Sequence, residues 1–229
     1  MVPAMTSVSA ASDFSGAGLV CVRGGRVVFA NLGFGLSAGD AVVLLGPNGS
    51  GKSSLLRVMA GLLKPYAGRL GWRGEAVADN PEAHAARTHY VGHHDAIKPV
   101  LSVAENLGFW AGLHQPHAAT ARQAVATALE RFGLAHLASI PGKMLSAGQK
   151  RRTNLARLLA APAPLWLLDE PTTALDRRSV KTLEEVLAEH RAAGGMVVLS
   201  THADIDLPGA RELHLDEFAP AEELMEAFL

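Results

Sequence analysis

The chain has 229 residues, enough for one domain with a sizeable core. Apolar residues make up 48% and charged residues 19%, which argues against disorder; 21 basic and 22 acidic side chains leave a formal net charge of −1, so no global positive field draws it onto nucleic acid. The longest apolar runs, 41–45 and 165–168, fall far short of the roughly 20 residues that span a bilayer, and a single cysteine, Cys21, excludes an internal disulfide or a cysteine-built metal site.

Residues 1–18 are rich in Ala, Ser and Gly and lack Lys and Arg, so they read as a disordered extension rather than a secretory signal. Residues 19–23 and 26–29 read as a hairpin turned at Gly24-Gly25, and 32–36 as a further strand. Residues 40–45 form a compact apolar strand, suited to the middle of a parallel sheet. From Lys52, the residues Leu55, Leu56, Met59 and Leu63 recur at helical spacing. A hairpin is expected at 69–77, and helices at 103–113 and 119–132. Two more buried strands, 165–168 and 196–200, flank a helix over 179–193. Strands alternating with helices predict an α/β fold with a mostly parallel sheet. The acidic and apolar residues after Glu222 suggest an amphipathic end helix.

Gly46-Pro47-Asn48-Gly49-Ser50-Gly51-Lys52-Ser53 matches the phosphate-binding pattern G-x-x-x-x-G-K-[ST], between a predicted strand and a predicted helix. The glycines let backbone N–H groups approach a phosphate, where a Cβ at Gly49 or Gly51 would obstruct, and the helix adds its positive end. Lys52 is expected to reach the β- and γ-phosphates of ATP, Ser53 to hold Mg²⁺, and Ser54 to lie beside them. The strand at 165–168 runs into Asp169-Glu170. Asp169 is placed to hold Mg²⁺ and Glu170 to polarise an attacking water. His202 follows the strand at 196–200, where a ring nitrogen can reach a γ-phosphate.

Leu145-Ser146-Ala147-Gly148-Gln149 resembles the LSGGQ signature of ABC (ATP-binding cassette) ATPases, with Ala147 for the first glycine. Thr173-Ala174-Leu175-Asp176 resembles that family's D-loop, and His202 its switch histidine. The resemblance runs from about residue 19 to 215. It implies an ABC ATPase domain within the P-loop NTPase fold over residues 19–229, with a mostly parallel core sheet, an antiparallel β-subdomain and a helical subdomain at about 95–160. It also implies a head-to-tail homodimer, in which Ser146, Ala147, Gly148 and Gln149 meet the ATP held by the other copy's Lys52. Lys150, Arg151 and Arg152, which continue the signature helix, read as a solvated basic face.

Two positions depart from the family pattern. Arg23 stands 29 residues before Lys52, where an aromatic commonly stacks on adenine, so a guanidinium stack is expected there. His93, with His94 beside it, takes the place of the Q-loop glutamine and so becomes a further candidate Mg²⁺ contact. The His93-His94 pair lacks the third ligand of a metal site of its own.

A narrower resemblance lies in Gly92-His93-His94-Asp95-Ala96-Ile97-Lys98, in Gly68-Arg69-Leu70-Gly71-Trp72 and in the alanine-bearing signature. These are similar to the ATP-binding subunits of haem exporters of cytochrome c biogenesis. That implies a peripheral subunit at the cytoplasmic face of the bacterial inner membrane. Its ATP hydrolysis would drive CcmB- and CcmC-like permease subunits in haem delivery or in release of the haem chaperone. The docking surface is expected at residues 93–106 with Phe109 and Trp110. An exporter of another cargo, a soluble ABC ATPase of DNA repair or ribosome function, and a non-hydrolysing regulatory module remain the competing readings. Balanced charge disfavours nucleic acid as a partner, and Glu170 disfavours the regulatory module.

Overall fold

The computed structural model describes residues 12–114, 117–202 and 205–220. In chain order the elements are β1 (Phe14–Arg23), β2 (Arg26–Leu36), β3 (Ala41–Leu45), α1 (Lys52–Met59), β4 (Ala67–Trp72), β5 (Glu75–Ala76), α2 (Pro81–Ala86) and β6 (Thr88–Val91). There follow α3 (Val103–His114), α4 (Ala118–Arg131), α5 (Ala147–Ala160), β7 (Leu165–Asp169), α6 (Arg177–Ala192), β8 (Met196–Ser200) and β9 (Arg211–His214).

These build two sheets. One is antiparallel, in the order β2-β1-β4-β5; the other is parallel, in the order β6-β7-β8-β3-β9. In β7 and β8 every residue is buried, because both faces of the central strands are covered. Their side chains divide by period two. Leu165, Leu167, Met196 and Val198 join Phe14, Phe29, Leu55 and Met59 in a core that lies under the antiparallel sheet and α1. Trp166, Leu168, Val197 and Leu199 face the other way, into a core with Leu107, Leu129, Leu155, Leu183 and Leu187 from the helices. Helices α3, α4 and α5 pack on one another as a layer of their own.

The structure corrects the expectation for the start of the chain. Residues 14–18 are strand, not a disordered extension, and residues 1–11 lie outside the described residues. Gly16, one of the small residues that looked like disorder, is there for packing: a Cβ on it would come within 2.4 Å of the Phe34 ring. Phe14 is fully buried, its ring 5.3 Å from Phe34 and 5.7 Å from Trp72. Residues 26–36 form one strand instead of two, bent at Asn31 with φ +52°. Elements α2, β6 and β9 were not expected. The polar β9 sits at the sheet edge beside β3, and α2 is capped by Asn80, whose side-chain Oδ1 accepts from Ala83 N–H at 3.0 Å. The expected helix at the C-terminal end falls outside the described residues.

Candidate active site

Strands β3, β7 and β8 run parallel, so their carboxyl ends open at the same edge of the sheet. From β3 the chain turns through Gly46 (φ +137°), Gly49 (φ +87°) and Gly51 (φ +101°) before α1 begins. A Cβ on Gly51 would lie 2.6 Å from Val28 Cγ1, so this glycine admits the β2 wall. At Gly49 a Cβ would meet no atom within 4 Å; there the left-handed backbone, not crowding by protein, calls for glycine. Lys52 Nζ donates to the carbonyls of Gly46 (2.6 Å) and Pro47 (3.2 Å), holding the loop as a ring around its ammonium.

Asp169 is 1% exposed. Its Oδ1 accepts from Ser53 Oγ at 3.0 Å and Ser200 Oγ at 2.8 Å, so the ends of three elements converge on one carboxylate oxygen. Its Oδ2 is buried without a hydrogen-bond partner among the described residues. Such an atom is costly unless a ligand completes it. Glu170 follows in the left-handed region, φ +49°, with its N–H donating to Ser200 O at 3.1 Å. Its carboxylate reaches His202, which donates its backbone N–H to Oε2 at 3.3 Å and sets its ring Nε2 3.6 Å from Oε1.

Lys52, Ser53, Asp169, Glu170 and His202 line one open cleft of about 800 Å³, together with Arg23, Val28, Asn48, Gly49, Gly51, Ser54 and His93. Arg23 and His93 thus both face the space beside the phosphate loop. Gly46, Pro47 and Ser50 form the back of the loop and do not line the cleft. The His93 and His94 rings lie 5.4 Å apart, and among the described residues no group of three or more His, Cys, Asp or Glu is arranged to hold a metal ion.

Ser146, Ala147, Gly148 and Gln149 are not part of this cleft. They form the start of α5, where Ser146 and Gln149 make a reciprocal cap: Gln149 N–H donates to Ser146 Oγ at 3.3 Å and Ser146 N–H to Gln149 Oε1 at 2.8 Å. A Cβ on Gly148 would stand 2.9 Å from Ala174 O, so the signature and the D-loop are in close contact.

Arg151 overturns its reading as a solvated basic side chain. It is 3% exposed. Its guanidinium donates to the carbonyls of Asp169 (2.9 Å), Glu170 (2.6 Å), Pro171 (3.2 Å) and Gly92 (2.9 Å), and meets Asp95 Oδ1 at 3.3 Å. Arg152 donates to Phe132 O at 3.1 Å. Nothing local in the sequence marks Arg151 as buried.

The ABC transporter family matches residues 29–173. The cytochrome c biogenesis ATP-binding export protein CcmA of Paramagnetospirillum magneticum is 80% identical over 213 residues, 93% of this chain and 98% of that protein. The chain belongs to the CcmA proteins of the ABC transporter family. The protein of the same name from Rhodospirillum rubrum is 66% identical over 207 residues, covering 90% of this chain and 87% of that one. A solved structure described as the ATP-binding subunit of an ABC transporter superposes with a TM-score of 0.77 at 26% identity, over 83% of this chain and 80% of that one. As a member of this CcmA group the chain is an ATP-binding ATPase that works with membrane permease partners. Among its described residues, no helix is long and apolar enough to cross a membrane.

A second concavity, of about 480 Å³, lies between the parallel sheet and α3. It is lined by Leu62, Tyr90, His94, Trp110, Leu113 and Arg157 among others. Leu62 and Leu113 are 67% and 63% exposed, an unusual degree for leucine, and the Trp110 ring is backed by the Arg157 guanidinium at 4.6 Å.

Proposed function

We propose that this chain is the ATPase subunit of the haem exporter of cytochrome c biogenesis, coupling ATP hydrolysis to haem delivery or to release of the haem chaperone. What carries the hydrolytic half is the convergence of Lys52, Ser53, Asp169, Glu170 and His202 on one cleft. What carries the cargo half is the name and high identity of the relatives.

In this reading Lys52 and the loop N–H groups bind the β- and γ-phosphates. Arg23 and Val28 form the wall on which the base rests. The unpartnered Oδ2 of Asp169, next to the Ser53 hydroxyl, suits a divalent cation, and a Mg²⁺ bound there would neutralise charge on the phosphates. Glu170 orients the attacking water, and His202 fixes the Glu170 carboxylate through its backbone N–H. The capped start of α5 lies outside this cleft, which supports closure by a second copy whose Ser146 and Gly148 meet the γ-phosphate in trans. The groove bearing Leu62, Trp110 and Leu113 suits an apolar element of a CcmB- or CcmC-like permease at the cytoplasmic face of the inner membrane.

The test is complementation of a strain lacking the gene. The wild-type chain should restore cytochrome c maturation and co-purify with the permease. Glu170→Gln should bind ATP, fail to restore maturation, and lose hydrolysis by a factor of about 10² or more. Intact cytochrome c in the deletion strain, or recovery with a different permease, refutes the haem assignment and favours an exporter of another cargo.

A further inference from the structure

We propose that Arg151 is a positioning residue for hydrolysis: it holds Glu170 in its left-handed backbone conformation and ties that conformation to the Gly92–Asp95 loop. The inference rests on the reading of Glu170 as the group that orients water.

A guanidinium has five N–H bonds in a planar fork. In Arg151 all three nitrogens donate, to five acceptors. Nε takes Pro171 O, Nη2 takes the carbonyls of Asp169 and Glu170, and Nη1 takes Gly92 O and Asp95 Oδ1. Three successive carbonyls at the end of β7 are thus gathered on one buried cation.

The middle one belongs to Glu170, with φ +49°. A side chain other than glycine seldom adopts that conformation, and it persists only where its surroundings over-determine it. Here the residue is gripped from both sides. Its N–H goes to Ser200 O and Ser200 Oγ, and its carbonyl goes to Arg151 at 2.6 Å. With the backbone so held, the carboxylate points at His202 N–H. Without Arg151, the carbonyls of Asp169 and Pro171 would lose the guanidinium and that of Glu170 would keep only Thr173 N–H at 3.2 Å, so residue 170 would relax towards an ordinary conformation that aims the carboxylate elsewhere.

The Nη1 contacts extend the grip. Gly92 and Asp95 bracket His93, which lines the nucleotide cleft, and His94, which lines the leucine-bearing groove. Asp95 is held a second time by Asn154 Nδ2 at 3.2 Å. Arg151 and Asn154 both lie on α5, the helix that carries Ser146 at its start. A shift of the loop or of the helix is therefore felt at the Glu170 carbonyl through one side chain.

The decisive variant is Arg151→Lys in the full-length chain, with Mg-ATP hydrolysis, nucleotide affinity and thermal midpoint measured together. Lysine keeps the charge but cannot span the five acceptors. We expect kcat to fall at least tenfold, ATP affinity to stay within about threefold, and no further loss when Arg151→Lys is added to Glu170→Gln. Were the lysine variant to misfold, Arg151→Gln, a planar amide, takes the same measurements and is expected to show the same split. Turnover within twofold of wild type, or affinity and turnover falling in parallel, overturns the inference. Hydrolysis lost in Glu170→Gln but kept in Arg151→Lys removes this inference alone; hydrolysis kept in Glu170→Gln removes the reading of Glu170 beneath it.

Discussion

Lowering the pH from 7 to 5 is expected to weaken the fold through histidines buried as neutral rings, chiefly His89 and His190, with His84, whose pKa burial also lowers, acting in the same direction. His89, in β6, is 2% exposed, with Nε2 against the Ala161 carbonyl and its ring 5.1 Å from that of His114. Burial, and next the Arg157 cation, press its pKa down to about 3. His190, in α6, stacks on Trp166 with ring centroids 3.6 Å apart and planes 3° from parallel. Burial lowers it to about 4 against the opposing backbone hydrogen bonds of Met196 and Pro164. Both rings titrate near about 6.5 once unfolded. Below that value the unfolded chain takes up protons that the folded chain refuses, so stability falls as pH falls. At pH 5 each histidine has given up about 1.5 units, or about 2 kcal/mol, and the pair about 4 kcal/mol. The carboxylates held low by their partners, Asp13 by Arg73 and Asp176 by Ser179, keep their contribution until the pH drops below this window. Urea unfolding followed by tryptophan fluorescence at pH 7, 6 and 5 measures the slope. The variant His89→Phe/His190→Phe keeps apolar rings in both places and should lose most of it. A wild-type free energy that changes by less than about 1 kcal/mol, or an equal slope in the double variant, would refute the reasoning.

Three further outcomes follow from the same geometry. Gly51→Ala puts a Cβ 2.6 Å from Val28 at φ +101°, so it should cost about 1–3 kcal/mol and weaken ATP binding, as seen by thermal unfolding and nucleotide titration. Ser146→Ala removes the cap of α5, worth about 1 kcal/mol. Its hydrolysis should drop by more than that loss of stability explains if the same hydroxyl serves the partner's nucleotide; proportionate losses would count against the trans site. Leu62→Glu with Leu113→Glu changes two exposed side chains at the groove, so it should abolish co-purification of the permease while ATP binding by the isolated chain stays within about twofold.

The amino-acid sequence by itself determined the chemistry of the cleft and the alternation of elements. A phosphate loop and an acidic strand end are each contiguous in the chain, so their residues are legible without knowing the fold. The period-two division of β7 and β8 between two cores follows from pleating alone. Tertiary structure decided what depends on distant partners. A glycine-rich start became strand because Phe34 and Trp72 pack around Phe14 and Gly16. The edge strand β9 has no apolar pattern to announce it, since its pairing with β3 is made by backbone groups. Arg151 looks like any surface cation in a run of three. It is buried because carbonyls from Gly92 and from Asp169 to Pro171 meet where the signature helix crosses them, and only the folded chain brings those acceptors together.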